Sequence, residues 1–188
     1  MPILRSMMAA VTLALLPTQG VAGQDLWVQA DQETVRLAPS AFPKLPPVVL
    51  QALESRKCLI PQSNSDASPH NVIRGSFARQ GQIDWAVLCS RARASTILVV
   101  WGGEAACNEE LEVREDRSYL QRVAGGKVVF TRRIETITRD GIQRLYERYG
   151  GPVPPISNRQ GIEDFTGGQG SVVRLCHDGR WMELTGKQ

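Results

Sequence analysis

The chain has 188 residues, 42% of them hydrophobic and 22% charged, with a formal net charge of +3. That length suits one domain with a sizeable core. Arginine outnumbers lysine 18 to 4, but the arginines are interleaved with acids, as in EVREDRS, and Arg132-Arg133 is the only adjacent arginine pair. A nucleic-acid footprint is a clustered basic face, so nucleic acid is excluded as a partner.

Residues 1–23 have the order of a secretory signal peptide. Arg5 supplies the positive start, Met7 to Leu16 an apolar run, and Val21-Ala22-Gly23 the small residues before a cleavage ahead of Gln24. The run is too short for a spanning helix, which needs roughly 17–25 residues. No later segment is apolar enough to span a membrane. Removing residues 1–23 takes away only Arg5, so the net charge falls from +3 to +2. The expected location is periplasmic or secreted.

Residues 24–42 read as an extended N-terminal arm with one short strand near Glu33 to Leu37. Residues 43–188 read as a single α+β domain. Pro43 to Lys57 is expected to be a helix: Pro46 and Pro47 suit its first turn, and Val49, Leu50 and Leu53 share a face. Arg56 and Lys57 sit where the helix dipole favours cations. Gln62 to Pro69 is a polar loop. Asn71 to Phe77, Asp84 to Cys89 and Thr96 to Trp101 read as three strands of an antiparallel meander. Asn108 to Gln121 reads as a short strand and a turn, with Tyr119 and Leu120 docking inward. Lys127 to Ile134 reads as one strand. Thr136 to Tyr149 is the clearest helix, with Ile142, Leu145, Tyr146 and Tyr149 at helical spacing. Thr138 or Asp140 is its cap, and Gly150-Gly151-Pro152 its stop. A Pro-rich connector to Gln160 follows. Gly161 to Phe165 is expected to form a short helical turn. Ser171 to Cys176 and Arg180 to Leu184 form a final hairpin around Asp178-Gly179.

The four cysteines, Cys58, Cys89, Cys107 and Cys176, all follow the signal segment, which favours disulfides. Three pairings exist. Cys58–Cys89 and Cys107–Cys176 are preferred, because the first pins a helix end to a buried strand and the second ties the middle of the chain to the final hairpin. Each is expected to contribute roughly 3–4.5 kcal/mol by chain entropy. No CxxC or His-rich spacing points to zinc.

Gly75, Phe77, Gly81, Asp84 and the strand WAVL resemble the FG-GAP or VCBS-type repeat hairpin, whose acidic loop binds calcium. Here Ser76, Ala78 and Gln80 occupy the positions of the loop's carboxylates, and Asp84 alone remains acidic. Calcium needs six to eight oxygen ligands, so no metal site is expected. Gly81 is assigned a turn with positive φ, and Asp84 either a cap on the turn or a bond to the loop backbone. The wider layout resembles a group of small exported bacterial proteins of unassigned activity. The shared features are LPP at Leu45 to Pro47, Cys-x-Ile-Pro-Gln at Cys58 to Gln62, the hairpin, the helix from Ile142 to Tyr149, and Gly179 to Trp181. That resemblance implies fold and export, and it brings no catalytic residue.

The remaining candidates read as structural. Cys176-His177-Asp178 has the composition of a catalytic triad, but neighbours on a strand face opposite ways, and a catalytic Cys must be a free thiolate. His70 reads as a solvated loop residue. Ser171 follows Gly167-Gly168-Gln169-Gly170, which is neither a nucleophile elbow nor a P-loop. Glu109, Glu110 and Glu112 read as a solvated acidic edge. Trp85, Trp101 and Trp181 read as core or half-core residues, leaving Trp27 as the candidate partner contact. No catalytic residue and no cofactor is assigned. The expected function is an exported, disulfide-stabilised, non-catalytic protein that binds a protein or envelope component. The alternative is a secreted hydrolase, which requires at least two of Glu110, Glu112, Asp164 and His177 to converge in a cleft.

Overall fold

The computed structural model describes residues 21–64, 67–155 and 158–186. Most of the expected signal peptide, residues 1–20, lies outside them. In chain order the elements are α1 (Val21–Glu33), β1 (Arg36–Leu37), α2 (Pro47–Ser55), β2 (Ile60–Pro61), β3 (Val72–Gly75), β4 (Asp84–Arg91), β5 (Ala94–Val100) and β6 (Glu110–Glu115). Then come β7 (Leu120–Arg122), β8 (Val128–Phe130), β9 (Arg132–Ile137), α3 (Arg139–Tyr149), β10 (Gly161–Thr166), β11 (Gly170–His177) and β12 (Arg180–Gly186).

The fold is α+β, and its strands pair antiparallel. The meander β3-β4-β5-β6 forms one sheet, and β12-β11-β10-β9 forms another. The β7–β8 pair is a separate ribbon, and β1–β2 a small clasp.

Strand alternation builds the layers. Ala86, Leu88, Ile97 and Val99 of the first sheet meet Ile134 and Ile162 of the second in a shared inner core, joined by Tyr119, Leu120, Val128 and Phe130. The opposite face of the first sheet, Val87, Cys89 and Leu98, is covered by Val49 and Leu53 of α2. The opposite face of the second, Val173, Leu175 and Leu184, is covered by Ile142 of α3. The order of layers is therefore helix, sheet, sheet, helix. Leu53, Leu88, Ile97 and Ile162 are fully buried, each worth about 1.5–3 kcal/mol relative to exposure.

Asn71 joins the two sheets. It is buried in the left-handed region at φ 69°, which asparagine tolerates. Its amide donates to the carbonyl of Pro61 at 2.6 Å and accepts from the Ile134 N–H at 3.0 Å. Edge strands β3 and β9 are thereby laced together.

Both preferred disulfides are present, Cys58–Cys89 and Cys107–Cys176. α3 is capped by Thr138, whose hydroxyl accepts from Gly141 N–H at 3.3 Å, and it ends at Gly150 with φ 70°. Asp178 and Gly179 form the last hairpin turn with φ 48° and 76°, the signs a type I′ turn requires.

Four expectations are corrected. Gly161 to Phe165 is strand, not a helical turn: Asp164 and Ile162 alternate inward toward partners on neighbouring strands. The expected strand from Lys127 to Ile134 divides at Thr131, whose N–H and hydroxyl both bond the carbonyl of Tyr119. The expected extended arm is helical to Glu33, because Ala30 enters the core and Asp31 is held by two arginines. His70 is half-buried and hydrogen-bonded rather than solvated, as described below.

Candidate functional site

The hairpin between β3 and β4 is organised by Asp84, which is 0% exposed. One carboxylate oxygen accepts from the N–H of Phe77 at 3.0 Å and of Ala78 at 2.9 Å. The other accepts from the Gln82 amide at 2.7 Å and the Gly102 N–H at 3.0 Å. Four donors surround this carboxylate, so its lone pairs are engaged by the protein and not offered to a cation. Gly81 turns the loop at φ 84°. Gly75 lies so close to the Phe77 ring that a Cβ there would stand 2.6 Å from it. Gly102 is tighter still, since its Cβ would lie 1.9 Å from the carbonyl oxygen of Ile83.

The acidic and histidine candidates do not share a cleft. Asp164 is buried between the sheets, with two parallel bonds of 2.9 Å to Arg132 and one of 2.8 Å to Arg174. Glu112 reaches the same Arg174 at 3.5 Å, so these two acids are joined through a cation. Glu110 pairs with Arg91 at 2.8 Å, and Glu109 with Arg56 at 2.7 Å. His177 sits beside the turn, 3.3 Å from Asp178 and 3.2 Å from Arg159. Its neighbour Cys176 is in a disulfide. The Ser171 hydroxyl donates to Glu163 at 2.7 Å. Tyr119 has its pKa raised, chiefly by burial, with the facing Arg132 guanidinium 4.3 Å from its ring opposing the rise.

Trp101 and Trp181 stack at 6.1 Å, and the Trp181 indole donates to the carbonyl of Asn108 at 2.9 Å. Trp85 packs half-buried against the α2 side of its sheet. Trp27 is 39% exposed on α1, flanked by exposed Leu26 and Val28.

Two clefts flank the β7–β8 ribbon. One, of about 620 Å³, lies between the ribbon and the second sheet, with Phe165, Tyr149 and Leu145 on its far wall. The Arg133 guanidinium lies over the Phe165 ring at 5.1 Å. The other, of about 410 Å³, lies between β8, the end of α1 and residues 62–64 and 67–69. Ser63, Asn64, Val129 and Phe130 line both, so the two form one trench around β8. None of Glu110, Glu112, Asp164 and His177 lines either cleft.

Ser63, which lines the trench, is paired with His70, a contact that the polar character of the loop did not signal. His70 Nε2 lies 2.9 Å from the Ser63 hydroxyl and accepts the Ser63 N–H at 2.8 Å, while Nδ1 lies 3.0 Å from the carbonyl of Ser68. A serine and a histidine at this distance have the components of a nucleophile and its base. Here, however, the one Nε2 lone pair is already taken by a peptide N–H, so the ring ties the loop to itself. The His70 N–H closes the arrangement by donating to Gln62 at 2.9 Å.

Among the described residues, no helix is long and apolar enough to cross a membrane. No protein-family model, no curated protein and no solved structure matches this chain.

Proposed function

We propose that this chain is an exported, disulfide-stapled, non-catalytic protein that binds a protein or envelope component in the trench around β8. The observation that carries the reading is that the concave surface and the hydrolase candidates lie apart. The trench is walled mostly by apolar and uncharged side chains, with Glu33, Lys127, Arg133 and Glu163 as its charged lining. Glu110, Glu112, Asp164 and His177 line neither cleft and are held by ionic partners, Asp164 and Glu112 sharing Arg174. Binding sites are concave, largely apolar and carry a few convergent polar groups. Residues 1–23 act as the export signal, and the hairpin carrying Asp84 is a degenerate FG-GAP-like unit kept as scaffold. Trp27 supplies a further contact outside the trench.

A photoreactive amino acid placed at Tyr149 or Val123, on the trench rim, tests this in cells that make the protein. The expected result is a discrete cross-linked adduct from both positions and none from exposed Val113 on β6. No adduct from the rim, or equal adducts from all three, sinks the reading. The mass of the protein recovered from the envelope is expected to begin at Gln24 and to show no free thiol.

A further inference from the structure

We infer that the partner is an extended peptide that adds as a strand to the open edge of β8, with an acidic group toward Lys127. The inference deepens the trench reading and rests on it.

The argument starts from register. Leu120 faces Phe130, Gln121 faces Val129 and Arg122 faces Val128. Beyond the ends of this pairing, Val123 N–H bonds the Lys127 carbonyl, and Thr131 N–H bonds the Tyr119 carbonyl. In an antiparallel pair, hydrogen-bonded positions alternate with positions whose N–H and C=O face away. Lys127, Val129 and Thr131 thus bond toward β7, and Val128 and Phe130 turn their peptide groups to the other side. On that side lies the cleft of about 410 Å³. One of these groups is met there: Asn64 N–H reaches the Phe130 carbonyl at 3.2 Å. Among the described residues, the N–H and C=O of Val128 and the N–H of Phe130 remain as consecutive rungs.

An open rung inside a concave, mostly apolar cleft is what strand addition uses: main-chain bonds give the affinity and side-chain pockets the selectivity. Natural sheets otherwise protect such edges with charge, as β6 does here with Glu110, Glu112, Arg114 and Glu115. β8 itself is Val-Val-Phe.

Charge gives the direction. Among the described residues, two ionic groups line this cleft. Glu33 is engaged by the Gln29 amide at 2.7 Å. Lys127 stands at the open end of β8, and among the described residues no carboxylate pairs with it. At the opposite end Asn64 closes the ladder. An antiparallel peptide therefore brings its C-terminal side to Lys127, which favours an acidic residue there.

The test is amide exchange by NMR on the mature protein, with the peptide acetyl-SVTVD-amide as probe. In the free protein the Val128 and Phe130 amides are expected to exchange at least about tenfold faster than those of Val129 and Thr131. The peptide should slow both. N-methylation of one alternate set of its residues should abolish the effect, and methylation of the other set should not. Lys127→Glu should reverse the preference between this peptide and acetyl-SVTVK-amide. The inference is overturned if Val128 and Phe130 are already as protected as Val129, if the peptide leaves them unchanged, or if both methylated peptides act alike. Should cross-links form on the trench rim while these amides stay unaffected, the trench reading survives and strand addition alone fails.

Discussion

Asp164 holds Arg132 by two parallel hydrogen bonds of 2.9 Å between the two sheets, where Arg132 is 1% exposed. The same carboxylate takes a third bond from Arg174 at 2.8 Å, and Arg132 also reaches the Ser95 hydroxyl at 3.2 Å. Removing one member of such a group leaves an uncompensated buried charge. Asp164→Ala is expected to destabilise by about 3–5 kcal/mol. Replacing Asp164 and Arg132 together by leucine and methionine should cost clearly less than the sum of the single changes. Urea unfolding of the three variants measures this.

Asp84 sets a second expectation. Asp84→Ala strands the N–H groups of Phe77, Ala78 and Gly102, at a cost of about 3 kcal/mol or more. Asp84→Asn should recover little, because its amide group would turn donors toward donors. Millimolar calcium should leave the Tm of the wild type unchanged. A rise in Tm with calcium would show that the carboxylate serves a metal rather than the loop.

The pH dependence of stability should carry the mark of Asp31. Burial raises its pKa, but hydrogen bonds and charges from Arg93 and Arg36 outweigh that and hold it below the ordinary 3.8. The two guanidinium groups lie 2.5 and 2.6 Å from its oxygens. A carboxyl with a depressed folded pKa contributes stability that is fully present above its unfolded value. That contribution is lost as pH falls through the folded value. The gap in stability between the wild type and Asp31→Asn should therefore be constant from neutral pH down to about pH 5 and close below about pH 4. Urea titrations at a series of acid pH values test the sign.

The two disulfides should differ in accessibility. Cys58 and Cys89 are both buried, beneath α2, whereas Cys107 is half-exposed in the loop after β5. Exchange needs an attacking thiolate to reach a sulfur. Mild dithiothreitol followed by alkylation should label Cys107 and Cys176 before Cys58 and Cys89, as read by peptide mapping. Loss of either bridge should cost about 2–5 kcal/mol.

What could be read locally was carried by neighbours in the chain. α3 announces itself by the spacing of Ile142 and Leu145, by Thr138 at its start and Gly150 at its end. The final turn is written in Asp178-Gly179, and the bonding of Asp84 to its loop in Gly81 and the short span back to Phe77. The disulfide pairs followed from the elements that carry them. Residues 161–165 were opaque because Asp164 is an acid in a strand interior. It is stable there only through Arg132 on β9 and Arg174 on β11, which local pattern does not pair with it. The helical state of residues 24–33 likewise depends on Arg36, Arg93 and an inner core that Ala30 enters. Asn71 offers no local sign that it bridges two sheets, and Ser63 and His70 none that they meet. The trench lies where β8 and β9 part at Thr131, whose N–H and hydroxyl both bond the Tyr119 carbonyl. Periodicity, caps and turns thus determined α3, the final hairpin and the turn at Gly81. Burial of charge, sheet docking and the open edge of β8 were decided by tertiary contact, because their partners lie far apart in sequence.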